Sequence, residues 1–159
     1  MSSKPQPIPG IPAALHRGEE EIPFVKFDEG TDMQVLHVDI ENALWVIRTR
    51  IKPGTTVQRH KHTGEVFAFT IAGSWKYLEY PEINTAGSYL YEPAGSVHTL
   101  HVPEENEGIT DVWFAIRGAN LNLDEDGNVE TVLDAGAIRD AYLELCEEQG
   151  YGRPGTIGL

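Results

Sequence analysis

The chain has 159 residues, of which 40% are hydrophobic, and this length suits one domain with a core of its own. A formal net charge of −13 argues against nucleic acid or a membrane surface as a partner, because both attract basic patches. The single cysteine, Cys146, excludes an intrachain disulfide. No apolar stretch has the length of a membrane span or the form of a signal peptide. We therefore expect a cytoplasmic protein.

The chain begins with a polar segment that has prolines at positions 5, 7, 9 and 12. Proline-rich segments of this kind are extended and do not build a core. We expect residues 1–20 to form an N-terminal arm that is flexible or spans a neighbouring subunit. Residues 21–159 are expected to form a single domain.

After the arm, the chain is a series of short runs rich in Val, Ile, Thr and aromatic residues, separated by turns that contain glycine or proline. Many short strands at close spacing predict an all-β sandwich or barrel and not alternating strands and helices. The predicted strands cover residues 22–27, 33–38, 43–51, 56–62, 65–72, 74–80, 87–92, 97–102 and 111–118.

The last third of the chain has a different pattern. Residues 122–128 are polar and predict a hairpin turn. Asp134 can cap a C-terminal α-helix over about residues 135–149, with Gly150 at its end. Helical spacing predicts that one face of this helix is buried, through Ile138, Ala141, Tyr142 and Leu145.

Two histidines, His60 and His62, lie two positions apart in a predicted strand. Side chains alternate along a strand, so the two rings point to the same side and can bind one metal ion. Taken alone, such a pair is more often found on an exposed edge strand. The residues around the pair favour a metal site instead.

Glycines and a proline lie at regular distances from these histidines. Five residues separate Gly54 from His60, and Gly73 follows at the next turn. A second segment contains Gly87, Pro93, Gly95 and His98, with five, one and two residues between them.

These two motifs resemble those of the cupin superfamily. The resemblance implies a cupin barrel, also called a double-stranded β-helix or jelly roll, in which His60, His62 and His98 converge on one divalent metal ion. Three imidazoles suit Fe, Zn, Ni or Cu.

The first motif departs from the cupin pattern at one position. Val66 stands where many cupins have a glutamate, and Glu65 is one residue away, on the opposite strand face. Cupins that use three histidines and a glutamate, such as oxalate-processing ones, are therefore disfavoured. A three-histidine site adds no negative charge to the ion, which favours an anionic chelating substrate such as an enolate.

A closer resemblance covers roughly residues 30–130. The stretch HTGEVFAFTIAGSWKYLEY and the later AGSYLYEPAGSVHTL are similar to the 2,4'-dihydroxyacetophenone dioxygenase family, and more distantly to the acetylacetone-cleaving dioxygenase. The resemblance implies a non-haem Fe(II) enzyme, although Zn or Ni can be present after purification. Such an enzyme uses O2 to convert an aryl hydroxymethyl ketone to a carboxylic acid and formate. It also implies a homodimer or homotetramer.

Glu92 lies six residues before His98. A buried carboxylate there can orient a ligand imidazole or act as a general base, whereas an exposed one would be an ordinary strand-end residue.

Arg48 and Arg50 share one strand face. They can bind a substrate anion, but arginines in an acidic chain more commonly form salt bridges.

Three other functions remain open from the sequence. The first is a different metal-dependent cupin enzyme, namely a β-diketone dioxygenase, an isomerase or a hydrolase. The second is a non-catalytic metal-binding sensor cupin. The third is a barrel whose histidines hold only a contaminating ion. Metal identity and oxygen dependence separate the isomerase and the hydrolase from the hydroxyketone dioxygenase.

Overall fold

The computed structural model describes residues 8–159, and this part of the chain forms thirteen β-strands and one α-helix after a 3-10 turn at Glu19–Glu21. The strands are β1 (Val25–Lys26), β2 (Thr31–Asp39), β3 (Leu44–Ile51), β4 (His60–His62), β5 (Val66–Ala72), β6 (Ser74–Tyr77), β7 (Asn84–Thr85), β8 (Tyr89–Glu92), β9 (Val97–His98), β10 (Leu100–His101), β11 (Thr110–Arg117), β12 (Asn120–Leu123) and β13 (Val129–Leu133). The helix, α1, is Ala135–Glu148. The all-β class and the C-terminal helix are both confirmed.

Strand β3 shows how the sequence builds the barrel wall. Its residues alternate strictly between buried and half-buried positions. Trp45 and Ile47 are on the buried face, as are Thr49 and Ile51 further along. This two-residue period lets one strand face the core and the solvent at once.

The strands form three sheets. The largest has the order β1-β2-β3-β11-β5-β8, and its neighbouring strands are antiparallel throughout. A second sheet, β13-β12-β4-β9, carries the three predicted ligand histidines, and a third has the order β10-β6-β7. The buried core contains residues from the largest sheet and from the β6 region, including Trp75, and continues under helix α1.

Two stretches differ from the sequence prediction. Residues 56–59 are not part of a strand, so the run predicted over 56–62 is reduced to β4. Strands β12 and β13 were not predicted, although the turn between them was. Their residues are half-buried or exposed, so they lack the alternating hydrophobic pattern that marks a strand in sequence.

Helix α1 begins where the sequence predicts. The Asp134 side chain accepts a hydrogen bond of 2.8 Å from the Ala137 amide, which satisfies one of the free N–H groups of the first turn. Ile138 and Tyr142 are buried as expected, but the rest of the buried face consists of Ala135 and Cys146. The face is therefore rotated slightly from the predicted one, and Ala141 and Leu145 lie at its margin.

The predicted arm falls partly on residues 1–7, which lie outside the described residues. From residue 8 to the 3-10 turn the chain is largely exposed and has no regular structure. Glu19 ends this stretch and forms salt bridges with Arg48 at 2.8 Å and Arg50 at 3.1 Å. Over residues 8–159, helix α1 is the one long helix, and it is too short and too polar to span a membrane.

Candidate metal centre

The three predicted ligand histidines lie on two adjacent strands. His60 and His62 are on β4, and His98 is directly opposite His60 on the neighbouring strand β9. The turn before β9 fixes this register. Gly95 has a φ of 87°, a conformation that favours glycine, and its amide donates a 2.7 Å hydrogen bond to the His62 carbonyl.

The imidazoles form a compact buried cluster. Their ring centroids are 4.8–5.0 Å apart, and each ring offers a nitrogen within 4.8 Å of those of the other two. The exposed fractions of His60, His62 and His98 are 6%, 3% and 1%. A group of three buried nitrogens at this spacing can hold one transition-metal ion.

Neighbouring groups fix the orientation of two of the rings. The Nδ1 atom of His60 donates a 2.8 Å hydrogen bond to the Gln58 carbonyl, which leaves Nε2 as the free ligand atom. The ring of Tyr77 stacks on the ring of His98, with 3.8 Å between centroids and 17° between planes. Both contacts limit rotation of the imidazoles.

Burial keeps His60 and His62 uncharged. Removal from water lowers the pKa of His60 below its usual value and lowers that of His62 to about 4. Their rings are therefore neutral at neutral pH, as metal ligation requires.

Glu92 completes the cluster from strand β8. Its side chain is 4% exposed, and its two oxygens lie 3.0 Å from His98 Nε2 and 3.5 Å from His62 Nε2. Burial alone would raise the pKa of Glu92, but His98 and His62 outweigh burial and the pKa lies below its usual value. Glu92 is thus an ionised carboxylate within the core and not an exposed strand-end residue.

Several buried atoms of this cluster have no hydrogen-bond partner in the structure. They are both Glu92 oxygens, Nδ1 of His62, and both ring nitrogens of His98. The close contacts between Glu92 and the two rings therefore lack hydrogen-bond geometry. Unpartnered buried polar atoms are costly, and a cation among these nitrogens and oxygens would satisfy them. The donor set fits a divalent metal ion.

The cluster faces a large cavity of about 570 Å³. His60 and His62 line it, together with apolar and aromatic side chains of the largest sheet such as Trp45, Ile47 and Phe114. A second, smaller cavity of about 300 Å³ lies behind Glu92 and His98. The volume of the larger one is within the range of about 300–1,000 Å³ that holds small organic ligands.

The structure brings together every predicted site residue, and Glu92 with them. Arg48 and Arg50 are not part of the site. Arg48 forms two hydrogen bonds with the carboxylate of Asp111, and Arg50 lies 3.6 Å from the same carboxylate. Both face away from the buried side of β3, which confirms the salt-bridge interpretation.

Three neighbours of the histidines were missed in the sequence. Gln58 acts through its backbone carbonyl, for which side-chain identity gives no signal. Tyr77 was one of many aromatic residues, and its place beside His98 depends on the pairing of β6 with β10. Asn120 lies opposite His62 on the unpredicted strand β12, and its Oδ1 atom has no hydrogen-bond partner.

An antiparallel β-barrel with a buried three-histidine group facing a cavity is the arrangement of a cupin. A family model, the ChrR cupin-like domain, matches residues 15–112. The chain belongs to this family of cupins. No curated protein matches the chain.

Solved structures give the same fold. A protein of unknown function with a cupin-like fold from Ralstonia eutropha JMP134 is 40% identical, over 90% of this chain and 91% of its own, with a TM-score of 0.83. An RmlC-like cupin protein from the same organism is 28% identical, over 84% of each chain, with a TM-score of 0.76. An acetylacetone dioxygenase from Acinetobacter johnsonii is 17% identical, over 91% of this chain and 99% of its own, with a TM-score of 0.71. At that identity, the last comparison shows a shared fold only.

Proposed function

We propose that this protein is a non-haem Fe(II)-dependent dioxygenase that cleaves the carbon–carbon bond beside the carbonyl of an aryl hydroxyketone similar to 2,4'-dihydroxyacetophenone. The products are a carboxylic acid and formate, and each chain uses one divalent metal ion held by His60, His62 and His98. The observation that carries the proposal is a buried three-histidine cluster open to an apolar cavity.

The ligand set suits a chelating substrate. Three imidazoles add no charge, so a divalent ion with the single carboxylate of Glu92 beside it keeps a net positive charge, which favours an enolate or ene-diolate that brings its own negative charge. When bound, the metal supplies Lewis acidity towards the ketone oxygens and the redox chemistry towards O2. His60 and His62 line the large cavity, so a ketone in that cavity is beside two of the three ligands.

Glu92 is the proposed base. A hydroxymethyl ketone must lose a proton from carbon to become an ene-diolate. Glu92 lines the smaller cavity and not the large one, so it would accept this proton from a ketone that reaches past His62, whose Nε2 lies 3.5 Å from the carboxylate. The same carboxylate lies 3.0 Å from His98 Nε2. In the overall reaction, one carbon–carbon bond of the ketone breaks and each new acid gains one atom of O2, so atoms and electrons balance without a further reductant.

The cavity wall excludes water and orients the ring. Trp45 is fully buried, and Ile47 and Phe114 are almost so. A flat aromatic group packs well against such side chains, with its ketone directed towards the histidines. An acetylacetone dioxygenase has the same fold, so this fold can accommodate oxygenase chemistry on a ketone.

The test is anaerobic reconstitution with Fe(II), followed by oxygen-electrode traces with 2,4'-dihydroxyacetophenone and with acetylacetone. We expect O2 uptake with the hydroxyketone, and one equivalent each of the aromatic acid and formate per O2. Uptake with the diketone alone would make the protein a β-diketone dioxygenase. Iron bound at one per chain with no uptake from either would contradict the proposal and favour a binding or sensor cupin.

A further inference from the structure

The ring nitrogens of the three histidines divide into an inner and an outer set. Nε2 of His62 lies 3.5 Å from Glu92, and Nε2 of His98 lies 3.0 Å from the same carboxylate, so both atoms point to one side of the cluster. The Gln58 carbonyl leaves Nε2 of His60 free as well. An ion held by three Nε2 atoms requires each ring to carry its proton on Nδ1, because a neutral imidazole has one protonated nitrogen and one free.

The Nδ1 atom of His62 needs an acceptor for that proton. It is buried and has no hydrogen-bond partner in the structure. A metal-bound histidine usually donates its other ring N–H to a carboxylate, a carbonyl or water, and this bond fixes the ring. For His60 the acceptor is the Gln58 carbonyl. For His62 the acceptor has to come from a neighbouring strand.

Asn120 provides an oxygen at this place. It lies directly opposite His62 in the β4–β12 ladder, and side chains of directly paired residues share one face, about 5 Å apart at Cβ. The Oδ1 atom of Asn120 is also buried without a partner. Its other cross-strand neighbour is Leu133 of β13, whose apolar side chain cannot bond to an amide. A buried donor and a buried acceptor, both unpartnered, therefore belong to paired residues.

The effect of Asn120 on His62 indicates which end of the amide faces the ring. Burial is the main cause of the lowered pKa of His62, and the Asn120 side chain opposes it by raising that pKa. An amide stabilises the charged form of an imidazole only as an acceptor, through its oxygen. The oxygen of Asn120 is therefore on the side of the His62 ring, although the contact falls short of full hydrogen-bond geometry.

A second asparagine provides an internal comparison. Asn122 lies two residues further along β12, on the same face, and is directly opposite His60. Its amide donates a 2.9 Å hydrogen bond to Thr131, and His60 already donates to Gln58. Two asparagines of one strand thus face two ligand histidines, but only His62 of these two lacks an acceptor.

We propose that Asn120 is a positioning residue of the metal centre. Its Oδ1 atom accepts the Nδ1–H of His62 and so holds the ring with Nε2 towards the metal ion. Completing this bond satisfies both buried atoms, each of which is costly to leave unpaired. The inference rests on the part of the proposed function that gives each chain one metal ion, and not on the reaction.

The first experiment measures the wild type alone. The full chain is labelled at histidine and loaded with Zn(II), which is diamagnetic and supports no chemistry with O2. Long-range proton–nitrogen NMR spectra distinguish a protonated ring nitrogen from a metal-bound one. We expect Nε2 of His62 to bind zinc and its Nδ1 proton to exchange slowly with water. A His62 ring bound through Nδ1 would overturn the inference without the use of any variant.

The second experiment compares three variants with the wild type. Asn120→Leu removes the acceptor and keeps the size of the side chain, and Asn122→Leu makes the same change opposite His60. We expect Asn120→Leu to bind Zn(II) about tenfold more weakly, in competition with a chelator, and its His62 Nδ1 proton to exchange rapidly. Asn122→Leu should keep both the affinity and the slow exchange. Asn120→Asp restores an acceptor oxygen at the same place and should recover both.

Equal Zn(II) affinity in Asn120→Leu and Asn122→Leu would overturn the inference, and so would an Asn120→Asp variant that behaves like Asn120→Leu. These readouts are independent of O2. A wild type with the expected tautomer but no O2 uptake would keep the inference and lose the proposed reaction. O2 uptake with unchanged affinity in Asn120→Leu would do the reverse. A wild type that binds no Zn(II) would overturn the role of Asn120 together with the metal site.

Discussion

Glu92 lies directly opposite Val66 in the β5–β8 ladder, and both residues are buried. Val66 occupies the position at which many cupins have a glutamate. Side chains of directly paired residues point to the same face, about 5 Å apart at Cβ. The chain therefore retains a carboxylate beside its three histidines, but provides it from the neighbouring strand.

This pairing predicts that the carboxylate can be moved across the ladder. Val66→Glu alone places a second acid beside Glu92 in a buried site, and should lower the free energy of unfolding by about 3 kcal/mol in the metal-free protein. The double variant Val66→Glu, Glu92→Val should recover part of this loss and still bind one metal per chain. Urea unfolding and metal analysis measure both; a double variant no more stable than Val66→Glu would contradict the prediction.

The histidine cluster predicts the metal content. His60→Ala, His62→Ala and His98→Ala should each lose most of the bound metal, because two imidazoles bind a borderline ion less tightly than three. Circular dichroism should show that the barrel remains folded. His101→Ala is the control, since His101 hydrogen-bonds to Thr56 and is not in the cluster. Full metal occupancy in one of the three variants would remove that residue from the ligand set.

The role of Glu92 as a base predicts a kinetic effect. Glu92→Gln keeps the size of the side chain but cannot accept a proton as a carboxylate does, so kcat should fall by about 100-fold with the iron still bound. Glu65→Gln is a suitable control. Glu65 is next to Val66 but lies on the opposite face, where it pairs with Arg117 at 3.6 Å. An unchanged rate in Glu92→Gln would leave Glu92 without a part in the chemistry.

The helix cap predicts a change in stability without a change at the site. Asp134→Ala removes the acceptor for the Ala137 amide and should lower the free energy of unfolding by about 1 kcal/mol. Asp140→Ala is the control, because Asp140 is exposed within the helix and caps nothing. Metal content should be the same in both. Equal stability of the two variants would show that the cap contributes little.

The outer face at one edge of the largest sheet predicts self-association. Phe69 and Tyr89 form a cross-strand pair there, beside a second pair of Phe67 and Tyr91. Strand β8 is at the edge of the sheet, and three of these four side chains are exposed. Exposed aromatic faces beside a free edge are typical of interfaces, and we propose a homodimer or homotetramer.

Light scattering tests this proposal. The wild type should have the mass of a dimer or tetramer, and Phe69→Glu should lower it. Val129→Glu is the control, because Val129 is equally exposed but lies on the β12–β13 hairpin. A monomeric wild type would rule out the homo-oligomer.

Much of the fold followed from local signals. The alternation along β3 is visible in the sequence, and so are the Asp134 cap and the turn between β12 and β13. The strands β12 and β13 themselves were not predicted, because their residues are neither strongly apolar nor clearly alternating. Residues 56–59 begin with the β-forming Thr56 and Val57, but their pairing is limited to an isolated bridge between Thr56 and His101, so no strand forms there.

The sequence by itself determined which residues form the candidate metal centre. The resemblance of two segments to the cupin motifs implied His60, His62 and His98, and strand alternation by itself predicted only that His60 and His62 share a face. Only the tertiary structure decided what surrounds them. The pairing of Val66 with Glu92, the stacking of Tyr77 on His98 and the place of Asn120 opposite His62 each depend on contacts between residues far apart in the chain. Local propensity and periodicity carry no information about such contacts; they arise when the sheets pair and the barrel closes.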